Sequence, residues 1–137
     1  MYKPIYFELY ELLSEPDYQR YGHRDAVCWG LFDEGLLKTI DSLRLKYGPM
    51  TINDWYWGGD LNWRGFRSSH SSVGADLSQH KFGRGADCHF RRVSVEEVRE
   101  DIKENCYPDV FRYITCIEDN VSWLHFDVRN VKKLLIV

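Results

Sequence analysis

Two short segments of this chain alternate as only a β-strand with one dry face and one polar face would require. The first reads Gly85-Ala86-Asp87-Cys88-His89-Phe90 and the second Trp123-Leu124-His125-Phe126-Asp127-Val128. In strands, Ala86, Cys88 and Phe90 share one face, as do Leu124, Phe126 and Val128, while Asp87, His89, His125 and Asp127 stand on the other. Each strand is expected to bury its apolar side and present its polar side to a cleft. With His80 just upstream, the segments supply two imidazoles and a carboxylate, the ligand set of a catalytic zinc that keeps one coordination position open. The candidate ligands are therefore His80, Asp87 and His125. A closed structural site would recruit a fourth Cys or His. Cys88 points to the wrong face, which leaves His89 as the only credible fourth donor. Asp127 is placed to hydrogen-bond an imidazole and fix its orientation; a solvated strand residue is an equal reading for both His89 and Asp127.

Helical spacing elsewhere supplies the backing. Leu36, Ile40, Leu43 and Tyr47 recur along 34–47, with Asp33 as N-cap and Gly48-Pro49 as terminator. Ser94-x-x-Glu97 is a capping box opening a second helix with the stripe Val95, Val98 and Ile102. A short amphipathic helix is expected over 5–13, stopped by Pro16, and a short strand over 50–53. Residues 111–118 and 122–129 read as a hairpin turning at Asp119-Asn120, and 133–137 as an edge strand. The expected fold is α+β, an antiparallel sheet backed by helices. The stretch 54–79 has no stable period and reads as a long ordered loop, a type that is usually functional. Its Trp55, Tyr56 and Trp57, with Trp63, are expected to pack the loop down rather than line a groove.

At 137 residues the chain makes one domain, with a helical extension over 1–30 preceding a core over 31–137. A net charge of −3 and the lack of a basic run argue against nucleic acid as partner. No apolar stretch approaches the ~20 residues of a membrane span, so no membrane insertion is expected. The start, Met1-Tyr2-Lys3-Pro4-Ile5-Tyr6-Phe7-Glu8, lacks the apolar run and cleavage site of a signal peptide, which points to synthesis in a cytoplasm. Cys28, Cys88, Cys106 and Cys116 form no C-x-x-C pair and are expected as four reduced thiols, with Cys88 and Cys106 at apolar positions. His23 and His70 read as solvated.

The polar clusters carry a family resemblance. Ser78-x-His80-x-x-Gly83-x-Gly85-x-Asp87 resembles the Ser-x-His-x-x-Gly-x-Ala-x-Asp motif of the zinc D-Ala-D-Ala carboxypeptidases and L-alanyl-D-glutamate endopeptidases. These share their fold with the hedgehog signalling domain. His125 matches the family's last zinc histidine in its Trp-x-His-like strand, and Gly65-Phe66-Arg67-Ser68 resembles the Gly-Tyr-Arg-Ser segment whose arginine faces substrate. The resemblance spans roughly residues 35 to 130. Two positions depart from it: Gly85 replaces the usual Ala, and Ser122 stands where many members have a catalytic Glu.

The resemblance implies a hedgehog-like zinc fold with Zn2+ held by His80, Asp87 and His125, hydrolysing an amide bond of peptidoglycan stem peptides. Arg67 and Ser78 would contact the substrate, while Arg84 is expected in a structural ion pair. With Ser122 at the usual acid position, Glu118 is the first candidate for the general base and Asp119 the second, with His89 behind them. A cell-wall substrate for a protein made without a signal peptide suits a phage or prophage product, released to the wall or carried among virion proteins. The alternative is the same zinc-stabilised fold without turnover, serving as a binding or virion structural module.

Overall fold

The helix over Glu34–Tyr47 forms as its spacing predicts. The computed structural model describes residues 1–137, and in it this helix, α4, is preceded by α1 (Leu9–Leu12), α2 (Glu15–Tyr21) and α3 (Asp25–Trp29). Asp33 caps α4 by accepting a 2.8 Å hydrogen bond from the Gly35 N–H, and Gly48 at φ 86° ends it, a conformation that costs glycine little. Leu36, Leu37, Ile40 and Leu43 are fully buried from its inner face.

The remaining elements are β1 (Met50–Thr51), 3-10 turns at Trp55–Trp57 and Gln79–Phe82, β2 (Gly85–Phe90), α5 (Val95–Glu104), β3 (Cys116–Ile117), β4 (Leu124–Asp127) and β5 (Leu135–Ile136). The strands make one sheet in the order β1-β2-β4-β3-β5. The fold class is α+β. The sheet is mixed rather than antiparallel, because β5 pairs parallel with β3. The chain leaving β4 reverses and passes to the far side of β3, where it runs in the same direction as β3. Nothing in the short segment 133–137 encodes that direction.

The apolar faces behave as the alternation requires: Ala86, Cys88, Leu124 and Phe126 are all fully buried. They pack under α4 and α5, and truncating a residue such as Phe126 to Ala would cost about 3–5 kcal/mol. The capping box of α5 is complete, with Ser94 and Glu97 bonding reciprocally.

Three expectations are corrected. Pro16 does not stop a helix: Ser14 caps α2 by accepting from the Asp17 N–H, and Pro16 sits in the first turn, where a missing N–H costs nothing. The strands of the hairpin are shorter than expected. Residues 107–114 instead form consecutive turns that bury Phe111 and Ile114, and Asn120 makes the bend at φ 61°. Cys106 is exposed, whereas Cys28, Cys88 and Cys116 are buried; all four thiols are free. Leu12, Leu13 and Trp29 from the first thirty residues join the same apolar cluster as α4 and the sheet.

Candidate metal centre

Register brings the polar residues together. In the β2–β4 pairing Asp87 lies directly opposite His125. In the β3–β4 pairing Ile117 faces Phe126, and the Glu118 N–H donates to the His125 carbonyl at 3.3 Å. Asp87, His125 and Glu118 thus form one row across three strands, on the face opposite the core. Directly opposed side chains in such a row sit about 4.5–5.5 Å apart at Cβ.

His80 reaches this row from the 3-10 turn packed against β2. Gly83 ends that turn at φ 66°, and a Cβ there would come within 1.9 Å of the Leu31 carbonyl oxygen; only glycine fits. The His80 ring is fixed from behind: Nδ1 lies 2.8 Å from the Gly65 carbonyl. A carbonyl can only accept, so Nδ1 carries the proton and Nε2 turns to the centre. Gly65 has no room for a side chain, since a Cβ would fall 2.2 Å from the Leu12 oxygen.

The three donors converge. His80 Nε2 is 3.4 Å from Asp87 Oδ2 and His125 Nδ1 is 2.7 Å from Asp87 Oδ1, and one ligand atom from each residue lies within 4.8 Å of the other two. His80 and Asp87 are buried. A buried His–Asp–His group of this kind can bind a metal ion. Arg67 NH2 stands 3.5 Å from Asp87 Oδ2, with its Nε donating to the Trp63 carbonyl at 2.6 Å. Asp127 is fully buried; its Oδ2 is 3.2 Å from His125 Nε2, and Arg129 grips both its oxygens.

These contacts polarise the centre. Burial works to raise the Asp87 carboxyl, but hydrogen bonds from His125 and His80 outweigh it and hold the group well below the ordinary carboxylate range. Burial opposes charge on His125, yet its bonds to Asp127 and Asp87 prevail and raise the imidazole to about 9. Asp127 is lowered to about 2, its burial overcome by Arg129 and His125. Burial also pulls Arg67 below its usual value against the pull of Asp87, though a guanidinium remains charged.

The donors open into a cleft of about 530 Å³ whose walls include Arg67, Ser78, Glu118, Trp123 and Arg129. Glu118 is half-buried there, and its carboxylate makes no hydrogen bond or ion pair within the chain. Asp119 does not line this cleft. It pairs with Lys103 Nζ at 3.1 Å and lies 3.7 Å from Arg99 Nε, on the side facing α5. His89 is also elsewhere: its Nδ1 lies 2.7 Å from Arg64 NH1, so it is neither a fourth donor nor near the reacting position. Arg84 makes no ion pair and stands over the Phe82 ring instead. Trp55 donates its indole N–H to the Leu13 carbonyl and Tyr56 stacks on Tyr10 at 3.9 Å. These rings hold the loop to the helices rather than lining the cleft. His23 and His70 are exposed.

Two arginines that brace the residues around the site were not found from the sequence. Arg129 had a faint signal, since it lies two residues beyond Asp127 in the same alternation. Arg99 had none: it is an arginine in a helix that buries it almost completely.

No family model, curated protein or solved structure matches the chain. The fold and site therefore define a class only: an α+β protein with a buried His–Asp–His group competent to hold a metal. No helix is long and apolar enough to cross a membrane.

Proposed function

We propose that this chain is a zinc peptidase with the hedgehog-like DD-peptidase fold, hydrolysing an amide bond in peptidoglycan stem peptides. The observation that carries the reading is the row Asp87–His125–Glu118: two metal donors, completed by His80, and one uncommitted carboxylate in the same cleft. A tetrahedral zinc with ligands at about 2.0–2.2 Å needs donor atoms roughly 3.3–3.6 Å apart. His80 Nε2 and Asp87 Oδ2 have that spacing at 3.4 Å, while His125 meets the other oxygen, Oδ1, at 2.7 Å, so one of the two imidazoles would shift towards a shared oxygen when the ion binds.

Zinc held by His80, Asp87 and His125 would supply Lewis-acid polarisation of the scissile carbonyl and make water acidic enough to react near neutral pH. Glu118 takes the proton from the attacking water and returns it to the leaving amine, the balance that amide hydrolysis requires. Arg67 binds a carboxylate of the peptide through its two-pronged guanidinium, and Ser78 lies on the same wall. Glu118 takes the acid–base role that Ser122, an exposed hydroxyl, cannot fill. A phage or prophage origin, with delivery to the wall by release or within a virion, belongs to the same proposal.

Ser122 also favours a second reading, a zinc-stabilised binding or virion module without turnover. Zinc-loaded protein incubated with purified peptidoglycan and synthetic stem peptides, with products weighed by mass spectrometry, decides between them. Product masses name the bond, either a terminal D-Ala released or L-Ala–D-Glu cut. Stoichiometric zinc with no cleavage of any wall peptide would leave the binding module; no zinc uptake at all would overturn both.

A further inference from the structure

The Asp127–Arg129 pair has no place in the reaction steps above, yet its carboxylate is held by four donors. Asp127 Oδ1 accepts from the Arg129 backbone N–H at 3.2 Å and from its Nε at 2.7 Å. Oδ2 accepts from Arg129 NH2 and lies 3.2 Å from His125 Nε2. Four donors surround a carboxylate with no exposed surface. Burying a carboxylate costs several kcal/mol before such bonds offset it, and an apolar residue would have filled the space without that expense.

We infer that Asp127 and Arg129 are positioning residues for the metal, acting through His125. The inference rests on the metal-binding part of the reading above. His125 and Asp127 are two residues apart on β4, so they share a face and Asp127 meets only the outer edge of the ring. An ionised carboxylate accepts and cannot donate, so the Nε2 of His125 carries a proton and its Nδ1 lone pair is left for the ion. Arg129 is needed because Asp127 alone could rotate or take up a proton. The fork of Nε and NH2, with the backbone N–H beside it, holds both oxygens in place beside His125. His80 is oriented by a backbone carbonyl through Nδ1, so the two imidazoles present opposite nitrogens, each held by its own partner.

The variants follow from this geometry. Asp127→Asn keeps the shape, but its amide must either turn its NH2 towards Arg129, breaking the fork, or towards His125. In the second case the Nε2 becomes an acceptor and the proton moves to Nδ1, where it blocks the metal. Outer-shell partners of this kind are worth about 10–100-fold in metal affinity. Arg129→Gln removes the fork, and Arg129→Lys restores the charge without it.

The test measures zinc alone. Two-bond proton–nitrogen NMR of zinc-loaded wild-type protein should show His125 with a protonated Nε2 and a metal-bound Nδ1, and this needs no variant. Competition titration with a zinc chelator should weaken Kd about 10–100-fold for Asp127→Asn. Arg129→Gln should fall in the same direction and Arg129→Lys recover only part, with far-UV circular dichroism unchanged in each. A wild type that binds zinc through His125 Nε2 overturns the inference. So do folded Asp127→Asn and Arg129→Gln proteins with wild-type Kd, while the metal reading survives either result. A wild type that takes up no zinc overturns the metal reading and this inference together.

Discussion

Replacing Arg99 should damage the metal centre from the far side of the sheet. Its side chain is 1% exposed, and its NH2 donates to the Val121 and Trp123 carbonyls at 2.9 and 3.0 Å. Those carbonyls belong to the turn that delivers the chain into β4 and hence His125. Arg99→Ala leaves two part-buried acceptors without their donors, at about 1–3 kcal/mol each where water does not replace them. Against this stands the desolvation cost of the wild-type guanidinium, which the variant no longer bears. The lost ion pair with Glu96 adds little, because Glu96 is 69% exposed. A net loss of about 3 kcal/mol is expected, which lowers Tm by roughly 10 °C for a chain of this length. Arg99→Met keeps the stem volume and should recover only the packing part. Arg91→Ala, at an exposed position, should stay within about 0.5 kcal/mol of wild type. The assay is thermal unfolding of metal-free protein followed by circular dichroism, with zinc affinity measured alongside. An Arg99→Ala protein melting within about 2 °C of wild type would refute the reasoning, since a change that small corresponds to less than 1 kcal/mol.

Glu118→Gln should lower hydrolysis by about 100- to 10,000-fold with zinc content unchanged, whereas Asp119→Asn should cost stability through Lys103 and Arg99 but little rate; a dead Asp119→Asn beside an active Glu118→Gln would exchange their roles. Arg67→Lys should impair peptide turnover nearly as much as Arg67→Ala at normal zinc content, because lysine keeps the charge and loses the fork; wild-type kinetics in the lysine variant would exclude a bidentate contact. His125, raised to about 9, holds its extra proton at neutral pH in metal-free protein, so zinc uptake at pH 7 should release a proton and affinity should rise up to about tenfold per pH unit until that pKa is passed. Calorimetry in two buffers of different ionisation enthalpy reads the proton directly, and equal heats at pH 7 would contradict the assignment. The sign for stability is the reverse: the raised His125 pKa stabilises metal-free protein below its unfolded value of about 6.5 and the gain is lost as pH rises through about 9. The lowered Asp87 and Asp127 stabilise it above about 3.9, and that gain is lost as pH falls.

What local sequence determined about this protein is what short-range physics controls. The Asp33 cap and the apolar stripe are enough to specify α4, and the Ser94–Glu97 box is enough for α5, because each is closed within one or two helical turns. Strand alternation sorted Asp87, His125 and Asp127 to one side and Ala86, Cys88, Leu124 and Phe126 to the other, because side-chain direction in a strand depends only on parity. Pairing partners have no such local origin. Parity separates Glu118 from Asp119, but which of them enters the cleft follows from the β3–β4 register that sets Glu118 beside His125. Pro16 reads as a stop until Ser14 is seen capping the turn that contains it. The parallel placement of β5, the backing of His80 by Gly65 and the burial of Arg99 under the 121–123 turn all join residues distant in the chain. Their energies come from hydrogen bonds and packing that exist only once the sheet has closed, so tertiary structure alone decides them.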